Sequence, residues 1–374
     1  MKKFLLVPDS FKGTLSSKQI CEIVKAKIYE HYPDAEVVSV PVADGGEGSV
    51  DCFLTAMQGE LIQCKTVNPF FEEMEGFYGL INNGKTAVIE MAACAGLPLV
   101  EDRKNPMLTT TYGVGLLIKD AVSRGVEEII LGLGGSATND FGCGAASALG
   151  VDFYNKKGKF VPTGGTLCEV VRIDPTHILP QLQRVKMTLM CDVKNPVFGE
   201  SGAAYVYAPQ KGADEETVKR LDDGLRHICK TVTRELGVDV STLSGGGAAG
   251  AMAGGMVALF GAETKMGIEV VLDTVGFDGL LTDADVVFTG EGKIDRQSLE
   301  GKGICGVAER AAAKNVPVIA VVGGVDGDIS KAYRMGLSAV FTINQMPEDF
   351  SVSRHKSAEN LAATVDNILR ILKI

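Results

Sequence analysis

The stretch FLLVPDSFKGTLSSKQICEIVKAKIYEHYPDAEVVSVPV, residues 4–42, decides the fold class. Its apolar start stops at a Pro-Asp pair after four residues, which predicts a short buried strand of a parallel sheet. A capping-box pattern at Ser16 and apolar residues every four positions over 20–28 predict a helix, which ends at Pro33. A second apolar strand follows over 35–42. The order strand, helix, strand predicts parallel pairing with a right-handed crossover.

Working outward from this unit, the pattern changes in the middle of the chain and then returns. From about residue 61, three apolar segments resemble consecutive strands, with a hairpin signal at Asn82-Asn83-Gly84. Over 214–236 the apolar residues alternate between spacings of three and four, which predicts an amphipathic helix. Strands and helices alternate again near the C-terminus. We therefore expect an α/β protein with two domains, a Rossmann-like doubly wound parallel-sheet domain (1–65 plus 276–374) and a large inserted mixed-sheet α/β domain (66–275).

The composition excludes several classes of protein. Glycine accounts for 45 of the 374 residues, where about 7% would be usual. The formal net charge of −10 argues against nucleic-acid binding, because no basic surplus is present to replace phosphate counterions. The nine cysteines include no CxxC pair, so reduced thiols are favoured over disulfides or zinc. No apolar run is long enough for a signal peptide or membrane span, and we expect a cytoplasmic protein without a membrane partner.

Three polar loops follow strands of the first domain and should lie at one edge of its sheet. They are residues 9–14 (DSFKGT), 44–49 (DGGEGS) and 290–298 (GEGKIDRQS). Ligands of open parallel sheets bind beyond the carboxyl ends of the strands, so we expect these loops to share one site. Lys12 precedes a helix N-terminus and could reach a phosphate or carboxylate held there. The alternative is an ordinary solvated loop lysine.

Two further strand ends carry residues suited to phosphate or metal chemistry. The segment LGLGGSATND, 131–140, lets backbone approach a phosphate closely, although it matches neither a Walker A loop nor GxGxxG. A tight strand-to-helix turn is the alternative. Asp192 directly follows an apolar strand and could hold magnesium or accept a proton from a substrate hydroxyl. Alternatively, it caps the turn before Pro196.

Other features allow two interpretations. The small-residue segment 244–255 predicts either a helix packed against another backbone or a loop lining a nucleotide. Glu90 follows a strand and is either a helix cap or a site residue. The four histidines lie far from the glycine loops, so carboxylates are expected to carry any proton transfer.

The ordered set of loop motifs resembles the type 1 glycerate kinase family. The set extends along the whole chain, and its order is more specific than any single member. The matching stretches are PDSFKGTLSS (8–17), PVADGGEGS (41–49), IEMAACAGLPL (89–99), TTYGVG (110–115), LGLGGSATNDFGCG (131–144), MCDVKNPVFG (190–199), APQKGA (208–213), LSGGGAAGAMAGG (243–255) and TGEGKIDRQSLEGKG (289–303).

The resemblance implies phosphorylation of D-glycerate by ATP with Mg²⁺, commonly yielding 2-phosphoglycerate, in a cleft between two α/β domains. Phosphoryl transfer mainly needs alignment and neutralisation of charge, which glycine loops with lysines can supply. We assign catalysis to Lys12, Asp192 and Asp295, with Asp192 also the metal ligand. The expected cofactor-binding residues, which face ATP, are Ser10, Gly134, Gly135, Ser136, Gly290, Gly292 and Lys293. The expected glycerate-binding residues are Asp44, Gly45, Gly46, Arg296, Gln297 and Ser298, of which Arg296 suits the carboxylate.

Competing functions stay open at this point. Phosphorylation at the 3-hydroxyl would give 3-phosphoglycerate instead. A nucleotide-dependent oxidoreductase is disfavoured, because GxGxxG does not follow the first strand. A non-catalytic binder of small acids is disfavoured as well, because lysine-bearing glycine loops exceed what a carboxylate requires. The expected partners are therefore ATP and D-glycerate, with the oligomeric state open.

Overall fold

A computed structural model describes residues 1–43, 45–295, 298 and 303–373. The chain folds into two compact units, each assembled from separate stretches of sequence. Unit 1 comprises Met1–Asp44, Asp51–Gln58 and Met266–Ile374, and unit 2 comprises Gly45–Val50 and Gly59–Lys265.

Strands form three sheets. In chain order the strands of the described residues are β1 (Lys3–Pro8), β2 (Glu36–Ser39), β3 (Glu60–Val67), β4 (Glu73–Ile81), β5 (Thr86–Glu90), β6 (Glu128–Gly132), β7 (Asp152–Asn155), β8 (Gly158–Phe160), β9 (Arg172–Asp174), β10 (Lys186–Met190), β11 (Glu263–Lys265), β12 (Val286–Gly290), β13 (Val318–Val322) and β14 (Leu337–Thr342).

Helices surround these sheets, and none in the described part of the chain is long and apolar enough to cross a membrane. The α-helices are α1 (Ser17–His31), α2 (Ser49–Met57), α3 (Ala92–Ala95), α4 (Tyr112–Ser123), α5 (Cys143–Ala148), α6 (Ala203–Tyr207), α7 (Glu215–Leu236), α8 (Ala248–Phe260), α9 (Gly267–Thr274), α10 (Phe277–Leu280), α11 (Ile304–Ala312), α12 (Ser330–Arg334), α13 (Phe350–Ser353) and α14 (Ser357–Leu372).

Unit 1 contains a five-stranded sheet in which every pair is parallel, in the order β14-β13-β12-β1-β2. The predicted capping box at the start of α1 is confirmed, because Ser16 Oγ accepts from Gln19 N–H and the Gln19 side chain accepts from Ser16 N–H. Strand β2 is shorter than the predicted 35–42. Hydrogen bonds to the β1 backbone nevertheless continue on both sides of Pro41, because the Val40 N–H donates to Leu6 O and the Val42 N–H donates to Pro8 O.

Unit 2 contains a six-stranded mixed sheet in the order β11-β10-β6-β5-β4-β3 and a small three-stranded sheet, β8-β7-β9. Strands β5, β6, β10 and β11 are parallel, and β3 and β4 are added by antiparallel pairing. The predicted hairpin turn joins β4 to β5, with left-handed backbone at Asn82, Asn83 and Gly84. Parallel and mixed sheets with intervening helices make this a mixed α/β protein.

The helix predicted over 214–236 is confirmed as α7, and the segment 244–255, for which a helix was one of two alternatives, contains the start of α8. Helix α7 is capped by Asp214 and ends at Gly237 in left-handed conformation, as its amphipathic pattern predicts. Helix α8 includes three consecutive left-handed residues, Ala249, Gly250 and Ala251. A Cβ at Gly250 would lie 2.0 Å from Thr138 O, so this turn packs directly on another stretch of backbone.

Candidate functional site

The loops after β1 and β12 lie together at the carboxyl edge of the unit 1 sheet. The Asp9 N–H donates to Gly290 O at 2.8 Å, and Gly292 packs against the backbone of Phe11 and Lys12. Lys12 itself is exposed. The structure therefore brings together four of the predicted residues, Ser10, Lys12, Gly290 and Gly292, because they follow adjacent parallel strands.

The β12 loop is also tied to the loop after β13. Ile294 N–H donates to Gly324 O at 3.0 Å, and Asp326 N–H donates to Ile294 O at 2.8 Å. The Lys293 ammonium lies 2.5 Å from Asp326 Oδ2, and this hydrogen bond raises the pKa of Lys293. Since Asp326 already engages Lys293, a phosphate would have to compete for this predicted cofactor-binding lysine.

Asp295 and Ser298 form a local turn at the end of this loop. The Ser298 N–H donates to Asp295 Oδ1 at 3.2 Å, and the Asp295 N–H points to Ser298 Oγ at 3.3 Å. Ser298 is buried, whereas Asp295 is half-buried. Three further predicted site residues, Asp44, Arg296 and Gln297, lie outside the described residues.

Glu291 was not among the predicted site residues. The pKa of its carboxyl group is strongly shifted. Its pKa is raised to about 7, chiefly by burial and also by the negative charges of Asp9 and Asp295, against a hydrogen bond from Ser298 and the charge of Lys12. Its buried Oε1 has no hydrogen-bond partner among the described residues. The sequence shows Glu291 between two glycines, but nothing in that pattern indicates burial.

A second edge, in unit 2, is built from backbone contacts between glycines. The Gly134 N–H donates to Gly45 O at 2.9 Å, and a Cβ at Gly134 would lie 2.5 Å from Gly46 Cα. Gly135 is exposed and Ser136 is buried next to it. Thus predicted residues of unit 2 from two distant stretches of sequence meet at the end of β6. Asp192 follows the neighbouring strand β10 and is half-buried.

Lys211 is a buried cation behind this glycine loop that was not among the predicted site residues. Its side chain is 1% exposed, and Nζ donates to Ser136 Oγ at 2.8 Å and to Thr138 O at 2.6 Å. Burial lowers the pKa of Lys211 to about 7, against the opposing field of Asp140. The only signal in the sequence was its position in APQKGA, a stretch that matched the family without an assigned role.

Asp140 fixes the far end of the same loop. Its buried carboxylate accepts from the N–H and hydroxyl of Thr111 at 2.8 and 2.9 Å, and from the amides of Gly142 and Gly144. Burial raises its pKa despite these bonds. The side-chain polar atoms of Thr138 and Asn139 are buried, and within the described ranges they have no hydrogen-bond partner. The buried side of the loop is therefore fixed by these hydrogen bonds, whereas Gly135 is exposed.

Glu90 and the histidines have local structural partners. Glu90 Oε1 accepts from the Val50 N–H at 2.6 Å in the first turn of α2, which is the predicted capping role. His31 contacts Asp366, His177 contacts Asp152, and His227 contacts Val170 O. Within the described residues no three His, Cys, Asp or Glu side chains gather into a metal-binding group.

Known proteins resemble this chain over its whole length. The family model for the glycerate kinase family matches residues 4–373. A glycerate kinase of Haemophilus influenzae is 43% identical over 372 residues, which is 99% of this chain and 98% of that protein. The glycerate 2-kinase of Escherichia coli (strain K12) is 38% identical, over 97% and 98% of the two chains. A crystal structure assigned to glycerate kinase 2 of Salmonella typhimurium LT2 superimposes with a TM-score of 0.89 at 38% identity, covering 100% of this chain and 98% of that one.

Proposed function

Since the chain belongs to the glycerate kinase family, we propose that it transfers the γ-phosphoryl group of ATP to the 2-hydroxyl of D-glycerate, giving 2-phosphoglycerate and ADP. The observation that carries the choice of product is the near-complete coverage of a relative named glycerate 2-kinase. The enzyme class follows from the family, because its curated relatives are kinases.

The two strand edges suit this chemistry. Phosphoryl transfer leaves the protein little covalent work, so binding geometry and positive potential dominate the rate. In this proposal the amides at Gly134, Gly135 and Ser136 contact ATP phosphates. Ser10, Gly290, Gly292 and Lys293 contribute further contacts, and Lys12 neutralises charge that develops on the transferred group.

The acceptor hydroxyl needs a carboxylate to orient it and take its proton. Asp295 fits this task because it lies in the loop after β12 and its charge, like that of Lys12, acts on Glu291. Glycerate's own carboxylate needs a cation, for which Arg296 is the proposed partner. Asp44, Gly45, Gly46, Gln297 and Ser298 complete the proposed glycerate-binding set.

Magnesium fits the donor set that is present. Mg²⁺ is usually held by one or two carboxylates together with substrate phosphates, so a cage of three acidic residues is not required. Asp192, half-buried at the end of β10, would provide the protein oxygen. When bound, the ion supplies positive charge to the phosphate oxygens.

Phosphorus NMR of the product tests the proposal directly. The protein is incubated with D-glycerate and Mg·ATP, and the product signal is compared with authentic 2- and 3-phosphoglycerate. We expect the 2-isomer. The 3-isomer would overturn the regiochemistry, whereas absence of ADP and of any phosphoglycerate would overturn the kinase proposal in favour of a small-acid binder.

Two variants test the catalytic assignment in the same assay. Asp192→Asn and Asp295→Asn should each lower kcat by at least about 100-fold, the usual contribution of a positioned acid or base. Glu22→Gln, on the exposed face of α1, is the control and should keep full turnover. Full turnover by both aspartate variants would show that other residues carry the chemistry.

A further inference from the structure

Lys211 is an unusual cation because no carboxylate of the described residues forms an ion pair with it. Both of its hydrogen-bond acceptors are neutral oxygens, Ser136 Oγ and Thr138 O. Asp140 acts on it only through its longer-range field. A buried ammonium without an ion-pair partner is unfavourable, and a stable core would be easier to build with an apolar residue. A role in binding would explain why a charge occupies this position.

The donor and acceptor groups of Lys211 and Ser136 define that role. When Lys211 is protonated, its ammonium carries only donors, so Ser136 Oγ then accepts from Lys211. The hydroxyl proton of Ser136 therefore points away from Lys211. Within the described part of the chain, Ser136 Oγ donates to no protein acceptor. The serine is thus an acceptor toward the core and an unused donor on its other side.

The surroundings place that donor beside the exposed turn of the loop. Ser136 is 7% exposed and directly follows Gly135, which is exposed and has a left-handed backbone. The contacts of Gly134 with Gly45 and Gly46 fix the preceding residue. Asp140 fixes the loop four residues later through Thr111. The backbone on both sides of Ser136 is therefore fixed, and Lys211 contacts its Oγ from the buried side.

We propose that Lys211 is a positioning residue that forces the Ser136 hydroxyl to donate to an anionic phosphate oxygen of ATP bound at the glycine loop. This inference rests on the proposed kinase function. It deepens that function by saying how one hydrogen bond to a phosphate of ATP is oriented. The positive charge also polarises the hydroxyl, which strengthens a hydrogen bond to an anion. Lys211 does not touch the phosphate itself; it acts through Ser136.

A double-mutant cycle separates this role from simple support of the fold. Lys211→Met keeps most of the side-chain volume without the charge, and Ser136→Ala removes the hydroxyl. Each change should raise KM for Mg·ATP about tenfold or more, the value of a charge-assisted hydrogen bond, while KM for D-glycerate stays within about twofold. The double variant should be little worse than either single variant, because both remove the same contact.

Lys85→Met serves as the matched control. Lys85 lies in the same unit but is exposed and paired with Glu127, so its loss should leave both KM values unchanged. Calorimetric titration of the same four proteins and the wild type with Mg·ADP gives a readout that does not need turnover. If the wild type binds Mg·ADP but transfers no phosphoryl group to glycerate, the proposed function fails while this inference stands.

Several results would overturn the inference. Additive effects of the two changes would mean that Lys211 and Ser136 act separately. A lower melting temperature with an unchanged KM for Mg·ATP would mean that Lys211 only supports the loop. If Lys211→Met does not fold, Ser136→Ala alone decides the matter, and normal binding of Mg·ATP and Mg·ADP by that variant would refute the proposal.

Discussion

Glu291 shows how burial changes an ordinary carboxyl group. Its usual pKa of 4.5 rises to about 7, chiefly through burial, and one of its oxygens has no partner in the part of the chain that the structure describes. For an acid with a raised pKa, the folded state binds more protons than the unfolded state between these two values. Stability is therefore highest at low pH in this window and is lost as the pH rises through about 7.

Glu291→Gln should remove this pH-dependent loss of stability. At about pH 8 the variant should be more stable than the wild type by roughly 2–3 kcal/mol, and at about pH 5 the two should be similar. Urea denaturation at the two pH values measures the difference. Glu22→Gln, an exposed change in the same unit, is the control and should show no such dependence. A Glu291→Gln variant that was less stable at high pH would contradict the burial argument.

The structural role of a residue could be predicted from the sequence only where its interaction partner lies close to it in the sequence. The Ser16 capping box was predictable because its partner, Gln19, is three residues away. The contact of Lys211 with Ser136 spans 75 residues, and no local pattern indicates it. The left-handed backbone at Ala249 and Ala251 was equally unpredictable, because alanine normally favours an ordinary helix there.

At the level of elements, periodic patterns predicted the helices and strands well. The alternating spacing in α7 and the Asn-Asn-Gly turn between β4 and β5 both led to the observed elements. The same patterns did not predict the irregular start of α8, because close backbone contacts act against local propensity there. The candidate loops were found because strand ends of a parallel sheet share one edge.

The contact between the loop after β6 and the stretch 45–46 leaves no space for a side chain. In Gly134→Ala the new methyl group would meet Gly46 Cα at 2.5 Å, so one backbone must move. We expect a loss of roughly 1–3 kcal/mol of stability and a higher KM for Mg·ATP, because the loop is displaced. Gly279→Ala is the control, since nothing lies within 4 Å of its added Cβ. Thermal melts and initial rates of both variants provide the measurement, and equal behaviour would show that the loop tolerates the shift.

Across the whole molecule, the exposure of the nine cysteines reflects how closely the chain is packed around them. Six are buried, Cys64 and Cys191 are intermediate, and Cys168 alone is exposed. Burial also raises the pKa of Cys21 and Cys229 to about 12, so these thiols should stay protonated and unreactive in the folded protein.

Titration with a thiol reagent should therefore show one fast-reacting group in the native protein and all nine after denaturation. Cys168→Ser should abolish the fast phase without altering the total of the remaining thiols in denaturant. Absorbance of the released reagent over time measures both. Rapid reaction of buried cysteines in the native protein would indicate that the units open far more readily than their packing suggests.

The order of elements along the chain has a consequence for synthesis on the ribosome. Strand β1 pairs with β12, which is made about 280 residues later, and α1 packs on α14, the final helix. At roughly 5–20 residues per second, the apolar segment of β1 waits roughly 15–60 s for its partner, while most of unit 2 is completed in the interval. Strand β1 can thus pair with β2 soon after synthesis, but it gains its other neighbour, β12, only near the end. A nascent chain halted before β12 should therefore expose Phe4–Val7 to chaperones.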